Sequence, residues 1–514
     1  MFRWLKAFGR ILGTTGTTDE AYKASRLDRF TRLWRPHGRT EDAAINESIE
    51  LMLRRTRDLY RNAPSQKRIS EVMADLIIGS GMTSFANPLG STAVFDATGD
   101  QIRASLEYMM ESDEIWEDWC QTEADAQGIS TFQELERIAC YEMINSGDAL
   151  FLETFDRRPN RRIPIAYQLI EREQLDRTKD RAASSGRTRI TNGIELDRFN
   201  RPIAYWIYDE HPEDHQMPGS GTSTRIPADR IIHLYIRFRP SQTSGVPWLH
   251  AITQPTRDLD WYLGNELTAA ALGSILVFLH KSAAGSAPLS LSDGTEPEDP
   301  YGNNPIRLGP GLIFQGGPDD TFEMAESKRP SRDASPFIEQ IRTEQAIGAN
   351  ISLPRLVANY KGTSYTAARA SHLDDESHFQ PLRRFVARKL TLPVRQRINA
   401  AAAGLGQFTS VTPQQFRRNQ RNYQRFDVLG PGREQLDPEK ETDAAVAKLR
   451  SAQSTLQIEN GRRQQHWVKI LTQMALEGRI AASLGVVLDY SKGQGGQVGS
   501  STSMAGETQE PDSA

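Results

Sequence analysis

Apolar residues recur at helical spacing through the first third of the chain. Ile45, Ile49, Leu53, Leu59, Ile69, Val72, Leu76 and Ile77 step mostly by three or four, with Pro64 as punctuation, and predict a long helical stretch. Residues 80–100 are turn-rich and read as irregular. A further helical block runs from about 101 to 128 and carries Trp116 and Trp119. Thr131 with Glu134 three residues on forms a capping-box pattern, so another helix is expected to about Asn145.

The period then changes. Segments 149–155, 165–170, 193–196, 203–208 and 231–236 are short, β-rich and separated by turn clusters, with a long polar loop at 211–224. Residues 41–245 therefore read as one α+β unit, helices first and a small sheet second. Helical spacing returns over 245–281 (Trp248, Ile252, Leu259, Leu263, Leu267), bent or interrupted at Pro255. Residues 282–305 form a Ser/Gly/Pro-rich loop with Asp293, Glu296, Glu298 and Asp299; short strands follow to 324 and a helix over 335–351. A hinge-like loop at 352–364 precedes a long helical segment to about Ala402, which Pro381 and Pro393 should kink or divide. A basic strand or loop region covers 408–426, and 438–484 is helical again. Residues 491–514 are rich in Gly, Ser and Gln and carry a disorder signature. The fold class is α+β, mainly helical, with no internal repeat.

Composition sharpens this. A chain of 514 residues exceeds one hydrophobic core, and 38% apolar content implies a soluble protein with much surface. A net charge of -4 excludes a general polyanion binder, so any nucleic-acid contact must be local. Cys120 and Cys140 match no zinc or redox spacing and read as reduced, half-buried thiols, suited to assembly in a reducing cytoplasm. No apolar run reaches membrane-spanning length; the longest, 269–279, is broken by Gly273 and Ser274. Residues 1–40 are a basic arm whose start places Phe2, Leu5, Phe8 and Leu12 on one helical face; the pattern lacks a signal-peptide core. It fits a short terminal helix, a membrane-surface segment or a docking arm alike.

Candidate chemistry is sparse. His211 and His215 have metal-ligand spacing, but Pro212 between them argues against the helix that would align them. His372, Asp374, Asp375 and His378 fall on one helical stretch and suggest a carboxylate–histidine site or, more simply, a solvated or intersubunit polar face with i,i+4 support. Gly219-Ser220-Gly221 lacks the third glycine and the strand–helix context of a dinucleotide loop. Neither a P-loop nor a GxSxG occurs. No catalytic residue, cofactor site or metal site is expected, and the chain reads as a non-enzyme.

Several segments, in order, resemble the lambda family of phage portal proteins. The clearest is Tyr365-Thr366-Ala367-Ala368-Arg369-Ala370, where the family shows Tyr-Ser-x-x-Arg-Ala, followed by Glu376, His378 and Phe379. Residues 347–360 are similar to the preceding helix end and loop. Ile231-Ile232-His233-Leu234-Tyr235, Arg237 to Arg239, and Ser244-Gly245-Val246-Pro247 resemble a strand-to-helix passage. Ser146-Gly147-Asp148-Ala149-Leu150-Phe151 resembles the first sheet strand. Gly317-Pro318-Asp319-Asp320 departs from the family's Pro-Gly-Glu turn. The match spans roughly residues 45–480.

The resemblance implies a portal fold with wing, stem, clip and crown regions. The basic arm is 1–40, the wing 41–245, the stem helices 246–281 and 335–351, and the clip 282–334. A tunnel loop covers 352–364, a long wing helix with the basic segment 365–437, the crown 438–485 and a tail 486–514. It implies a homo-oligomeric ring, a dodecamer, at one capsid vertex of the virion, assembled in the host cytoplasm. Double-stranded DNA would pass through it during packaging and ejection. Implied partners are the terminase large subunit, a head–tail adaptor and the major capsid or scaffolding protein, with no stable membrane insertion.

A channel that lets DNA slide needs sparse, sequence-independent phosphate contacts. In the tunnel loop Arg355 and Lys361 are the charges, beside Asn359 and Tyr360. Arg417, Arg418, Arg421 and Arg425, interleaved with aromatics, face either DNA or a neighbouring subunit. Tyr365 and Arg369 mark the signature helix. Two competing readings stand beside the portal: a phage DNA-processing enzyme or accessory factor, based on 416–426, and a peripheral membrane scaffold, based on 2–12.

Overall fold

The structure is a computed structural model. It describes residues 38–88, 99–156, 158, 161–184, 188–214, 221–274, 278–281, 321–324, 334–431, 438–463 and 465–486. The predicted basic arm to residue 37, most of the predicted clip, His215, Gly219 and the tail beyond 486 lie outside them. The chain divides into two compact units, Met1–Gly430 and Pro431–Ala514.

In the first unit α1 (Glu41–Asn62) starts at Thr40, whose side chain accepts from the Ala43 N–H, with Glu41 and Asp42 favourably placed in the first turn. Its apolar stripe of Ile45, Ile49, Leu53 and Leu59 is buried. Ala63 is extended, as a residue before proline prefers, and Pro64 opens α2 (Pro64–Ile77). The 80–100 stretch expected to be irregular contains a strand, β1 (Thr83–Ala86), antiparallel to β11 (Phe426–Leu429). Only that distant partner makes so short a segment a strand. Helix α3 (Gly99–Thr122) buries Tyr108, Ile115, Trp116 and Trp119, the two indoles stacked at 5.3 Å. Helix α4 (Phe132–Ser146) begins with the predicted capping box at Thr131 and Glu134.

Two antiparallel sheets follow where one was expected. Strands β3 (Ile165–Ile170), β2 (Asp148–Phe155) and β8 (Ile231–Tyr235) form one, with β2 central. Strands β4 (Arg189–Thr191), β5 (Ile194–Leu196), β6 (Pro202–Tyr208) and β7 (Ser223–Pro227) form the other. Strand β7 begins inside the supposed polar loop; with none of its residues buried, this edge strand is hidden from a search for apolar runs.

Helix α5 covers Thr253–Ser274; Pro255 sits in its first turn, where no N–H is missed, so the expected bend there does not occur. The predicted helical end is instead β9 (Phe278–Lys281), paired antiparallel with β10 (Thr321–Met324). Helix α6 (Ala334–Ala349) packs on α5 through Tyr262 against Phe337 and a 3.0 Å bond from Gln345 Nε2 to Thr256 Oγ1. Both Gln345 and Thr256 are fully buried, so this bond supplies partners that water no longer can.

The segment 352–364 is not loop throughout: Leu353–Val357 forms α7, closed by Ala358 at φ 53°. Helix α8 (Tyr365–Val386) continues without a break through Pro381, whereas the division expected at Pro393 is present: a π-helical turn, Ala387–Thr391, leads into α9 (Leu392–Gly404), which carries Pro393 in its first turn. The basic region expected as strand or loop holds two short helices, α10 (Pro413–Arg418) and α11 (Gln420–Tyr423). Thr412 and Gln415 make a second capping box there.

One main core joins α2, α3, α4, α8, α9 and the β2 sheet. Each fully buried Ile, Leu or Phe in it contributes about 1.5–3 kcal/mol. Helix α9 is its central layer. Arg395 is buried against Asp113 at 2.5 Å, its guanidinium lying over Trp116 and Phe426, and Asn399 accepts from Ser112. One step round, Arg397 pairs with Glu153 on β2. Both cysteines are fully rather than half buried, and burial pushes the Cys140 thiol up to about 12.

The second unit is helical as predicted: α12 (Pro438–Arg450), α13 (Leu456–Arg462) and α14 (Trp467–Ser483). Leu471, Leu476, Ile480 and Leu484 are left exposed there. Among the described residues no helix is long and apolar enough to cross a membrane.

Candidate functional site

Three segments far apart in sequence meet at the buried carboxylate of Asp148. Helix α4 ends at Gly147, whose φ of 88° turns the chain into β2 and sets Asp148 as its first residue. Ser244 Oγ donates to Asp148 at 2.7 Å and the Gly245 N–H at 2.6 Å. His233 on β8 bonds it through Nε2 at 2.9 Å, with the Tyr205 hydroxyl 3.4 Å from the other ring nitrogen. Arg172 completes the set with an ion pair to Asp148 and a bond to the Gly245 carbonyl. Burial alone would raise the Asp148 carboxyl, but Arg172, His233 and Ser244 outweigh it and hold it down at about 2.

The glycines explain the closeness. A Cβ on Gly245 would lie 1.9 Å from the Gly147 carbonyl oxygen, and one on Gly147 would lie 2.4 Å from the Val246 carbonyl carbon. Only chains without side chains cross so tightly. The geometry is not a hydrolase triad. Ser244 and His233 both bond the carboxylate rather than each other, so the serine has no base within the bond it would need, and the cluster is sealed from solvent. Its work is to lock the strand-to-helix passage.

The second constellation is exposed. Asp375 on α8 is buried and accepts from the N–H and hydroxyl of Ser352, at 2.8 and 2.9 Å, pinning the start of the 352–364 segment. This corrects the expectation that Asp375 belongs to a solvated face. Asp374 and His378 are exposed and form no ion pair with each other among the described residues. His372, one turn before, lies 3.3 Å from Arg355 and 3.4 Å from the Tyr360 hydroxyl, so it ties the segment's short helix to the residue before its turn. Lys361 is exposed at the turn, its N–H bonded to Asn359 Oδ1, and Gly362 supplies a φ of 77°. Ser364 caps α8, leaving Tyr365 and Arg369 on its exposed surface. Helical spacing flagged His372 as a candidate; its joining of Arg355 to Tyr360 required the fold.

The basic–aromatic stretch separates into two sides. Phe416 and Tyr423 stack inward at 5.7 Å on each other and on Phe408 and Tyr108, so they are core and not base-stacking platforms. Arg417, Arg418 and Arg421 point to solvent, and Arg425 is half-buried.

His211 gathers with Glu171 and Glu173, but not as a metal centre. The Arg57 guanidinium already occupies the group, paired with Glu142, Glu171 and Glu173 at 3.1, 3.2 and 2.8 Å. His211 Nδ1 accepts the Glu213 N–H at 3.2 Å, so its proton resides on Nε2, facing Glu171. A metal would have to displace both a proton and a guanidinium.

A cavity of about 770 Å³ opens beside the π-helical turn, between β6, β8 and α8. Its lining includes Arg201, Arg237, Arg388 and Lys389 with Phe199 and Phe385, and no carboxylate among the described residues.

The described residues form a helical α+β chain organised around a strand-to-helix crossing and an exposed turn. A family model described as "Phage portal protein, lambda family" matches residues 27–383, and the chain belongs to that family. It is similar to a "Probable portal protein" of Halomonas phage phiHAP-1, 24% identical with 93% of this chain and 89% of that protein covered. It is also similar to "Portal protein B" of Escherichia phage lambda, 19% identical over 87% of this chain and 86% of that one. The "Portal protein" of Escherichia phage N15 is 20% identical over 88% of this chain and 89% of that one. Among solved structures, one titled "Neck of native GTA particle computed with C12 symmetry" aligns at TM-score 0.38 and 12% identity, covering 79% of this chain and 92% of that one. The chain is thus a phage portal protein, a component of the virion at the head–tail vertex, and not an enzyme.

Proposed function

We propose that copies of this chain close into a dodecameric ring around a channel for double-stranded DNA, through which the genome is packaged and ejected. The observation that carries the reading is the helix pair α5–α6. Trp261, Leu267 and Ile347 are 68%, 71% and 70% exposed, and Phe337 is 48% exposed. Apolar side chains this large, spread along two packed helices, need cover, and neighbouring copies in a ring supply it symmetrically. In this reading α5 and α6 are stem helices, and the β9–β10 pair belongs to the clip, which docks the terminase large subunit and later a head–tail adaptor. The wing is residues 41–245, with the 365–437 segment returning through it, and 438–485 is a crown toward the capsid or scaffolding protein.

The 352–364 segment is the tunnel loop. Lys361 at its turn and Arg355 held by His372 become circles of cations, sparse enough to touch phosphates without stalling them. Negative-stain microscopy of the purified protein tests the reading: rings with a central hole are expected. Protein that stays monomeric under assembly conditions overturns it.

A further inference from the structure

A ring made from one kind of chain needs two different faces on that chain, each fitting the other. The first unit carries two uncompensated surfaces of opposite sign. One is the cavity beside the π-helical turn, whose lining brings Arg201, Arg237, Arg388 and Lys389 together with Phe199 and Phe385. Among the described residues no carboxylate lines it, and the side chains of Arg388 and Lys389 have no ion-pair or hydrogen-bond partner. The lining combines aromatic and cationic side chains, so its complement is partly apolar and partly acidic.

The other surface is the outward face of α3. Glu107, Met110 and Glu114 follow one another at helical spacing and share one stripe. Met110 is 41% exposed, and both glutamates are exposed without a partner among the described residues. The two carboxylates stand about 10 Å apart along the helix, with the thioether between them. A methionine is well suited to an aromatic lining, where sulfur–ring contact adds to burial.

The two surfaces look in different directions. Arg395 and Asn399 of α9 face α3, whereas Arg397 of α9 faces β2. Helix α9 therefore lies between α3 and the sheets that carry the cavity. The exposed stripe of α3 lies on the side away from α9, so one copy cannot close this contact on itself.

We propose that the cationic cavity of one copy receives the Glu107–Met110–Glu114 face of α3 from the next copy round the ring. The proposal rests on the ring reading above and adds the contact that orders neighbouring copies. Met110 meets Phe199 and Phe385, and Glu107 and Glu114 meet the cationic side chains.

Two charge-reversed chains test it: R388E with K389E, and E107K with E114K. All four positions are exposed, and thermal melting confirms that each chain folds. The ring fraction is read by mass photometry and negative stain. Each variant alone should lose rings on the order of tenfold, because like charges then face each other across the contact. An equimolar mixture of the two should recover rings, since opposite charges again alternate around the circle. The milder R388Q with K389Q should lose fewer rings and show a weaker dependence of assembly on salt.

Rings unaffected by either reversal overturn the proposal and leave the ring reading standing. Rings lost in each variant but not regained on mixing also overturn it, because the two surfaces then do not meet. An unaltered chain that never forms rings overturns the ring reading itself.

Discussion

The Asp148 crossing and the 352–364 segment are both built from stretches that resemble the family, yet they are opposites physically. At the crossing every charge is buried and answered: Asp148 by Arg172, His233, Ser244 and the Gly245 N–H. In the segment one buried anchor, Asp375, holds the base, while Tyr360 and Lys361 stand in solvent. A signature stretch is thus no guide to role. Burial distinguishes a residue that holds the fold from one free to meet something else. A buried ion pair is costly to break because its partner is stranded, whereas an exposed charge is cheap to change.

The largest expected effect is at the crossing. Asp148→Ala strands Arg172 and His233 and should cost about 3–5 kcal/mol in denaturant unfolding. A loss below about 1 kcal/mol would mean that the cluster does not lock the passage. The wild-type contribution has a definite pH window. The folded carboxyl sits at about 2 against an ordinary 3.8, so its stabilisation is complete above 3.8 and fades as pH falls toward 2.

Glu136 should behave in the reverse sense. It is fully buried, and desolvation raises its carboxyl to about 7, against which the Met82 N–H and the Thr391 hydroxyl of the π-helical turn pull only partly. The folded state then holds a proton that the unfolded state releases above about 4.5. Stability should fall as pH rises from 4.5 to about 7, by on the order of 3 kcal/mol, and then level off. Glu136→Gln should flatten that dependence, because its amide can donate to Thr391 and still accept from Met82. Melting temperatures across pH for the two chains check it, and equal slopes would remove the assignment.

Asp375→Ala should cost about 1–3 kcal/mol, the penalty of leaving the Ser352 donors unanswered. Hydrogen exchange should rise mainly over 352–364. Exchange spread evenly over α8 instead would show that Asp375 supports the helix and not the segment.

The smallest effect on stability is at the tip. Lys361→Glu should change melting by less than about 0.5 kcal/mol and leave rings intact while lowering genome packaging or retention. Collapse of assembly would place Lys361 in an interface and erase the contrast between the two regions.

Local chemistry was legible from the residues alone. The capping box at Thr131 and Glu134, the break at Pro64, the apolar stripe of α1 and the main strands of the β2 sheet each depend on neighbours a few positions away. The ordered set of resembling segments was likewise readable, and with it the family. What depended on distant partners was not. Strand β1 exists because β11 pairs with it, and β7 because β6 does. That Tyr108 and Phe408 enclose Phe416 and Tyr423, while the arginines between them stay outside, likewise needed the fold.

The sequence by itself determined the class of fold, the family and the turn that carries Lys361. Only the tertiary structure decided that Ser146 to Asp148, His233, and Ser244 with Gly245 are one buried cluster. Only it decided that Asp375 anchors a segment more than ten residues away along the chain. The reason is physical: capping, periodicity and turn chemistry act within a few residues, whereas burial and charge pairing are properties of the packed whole.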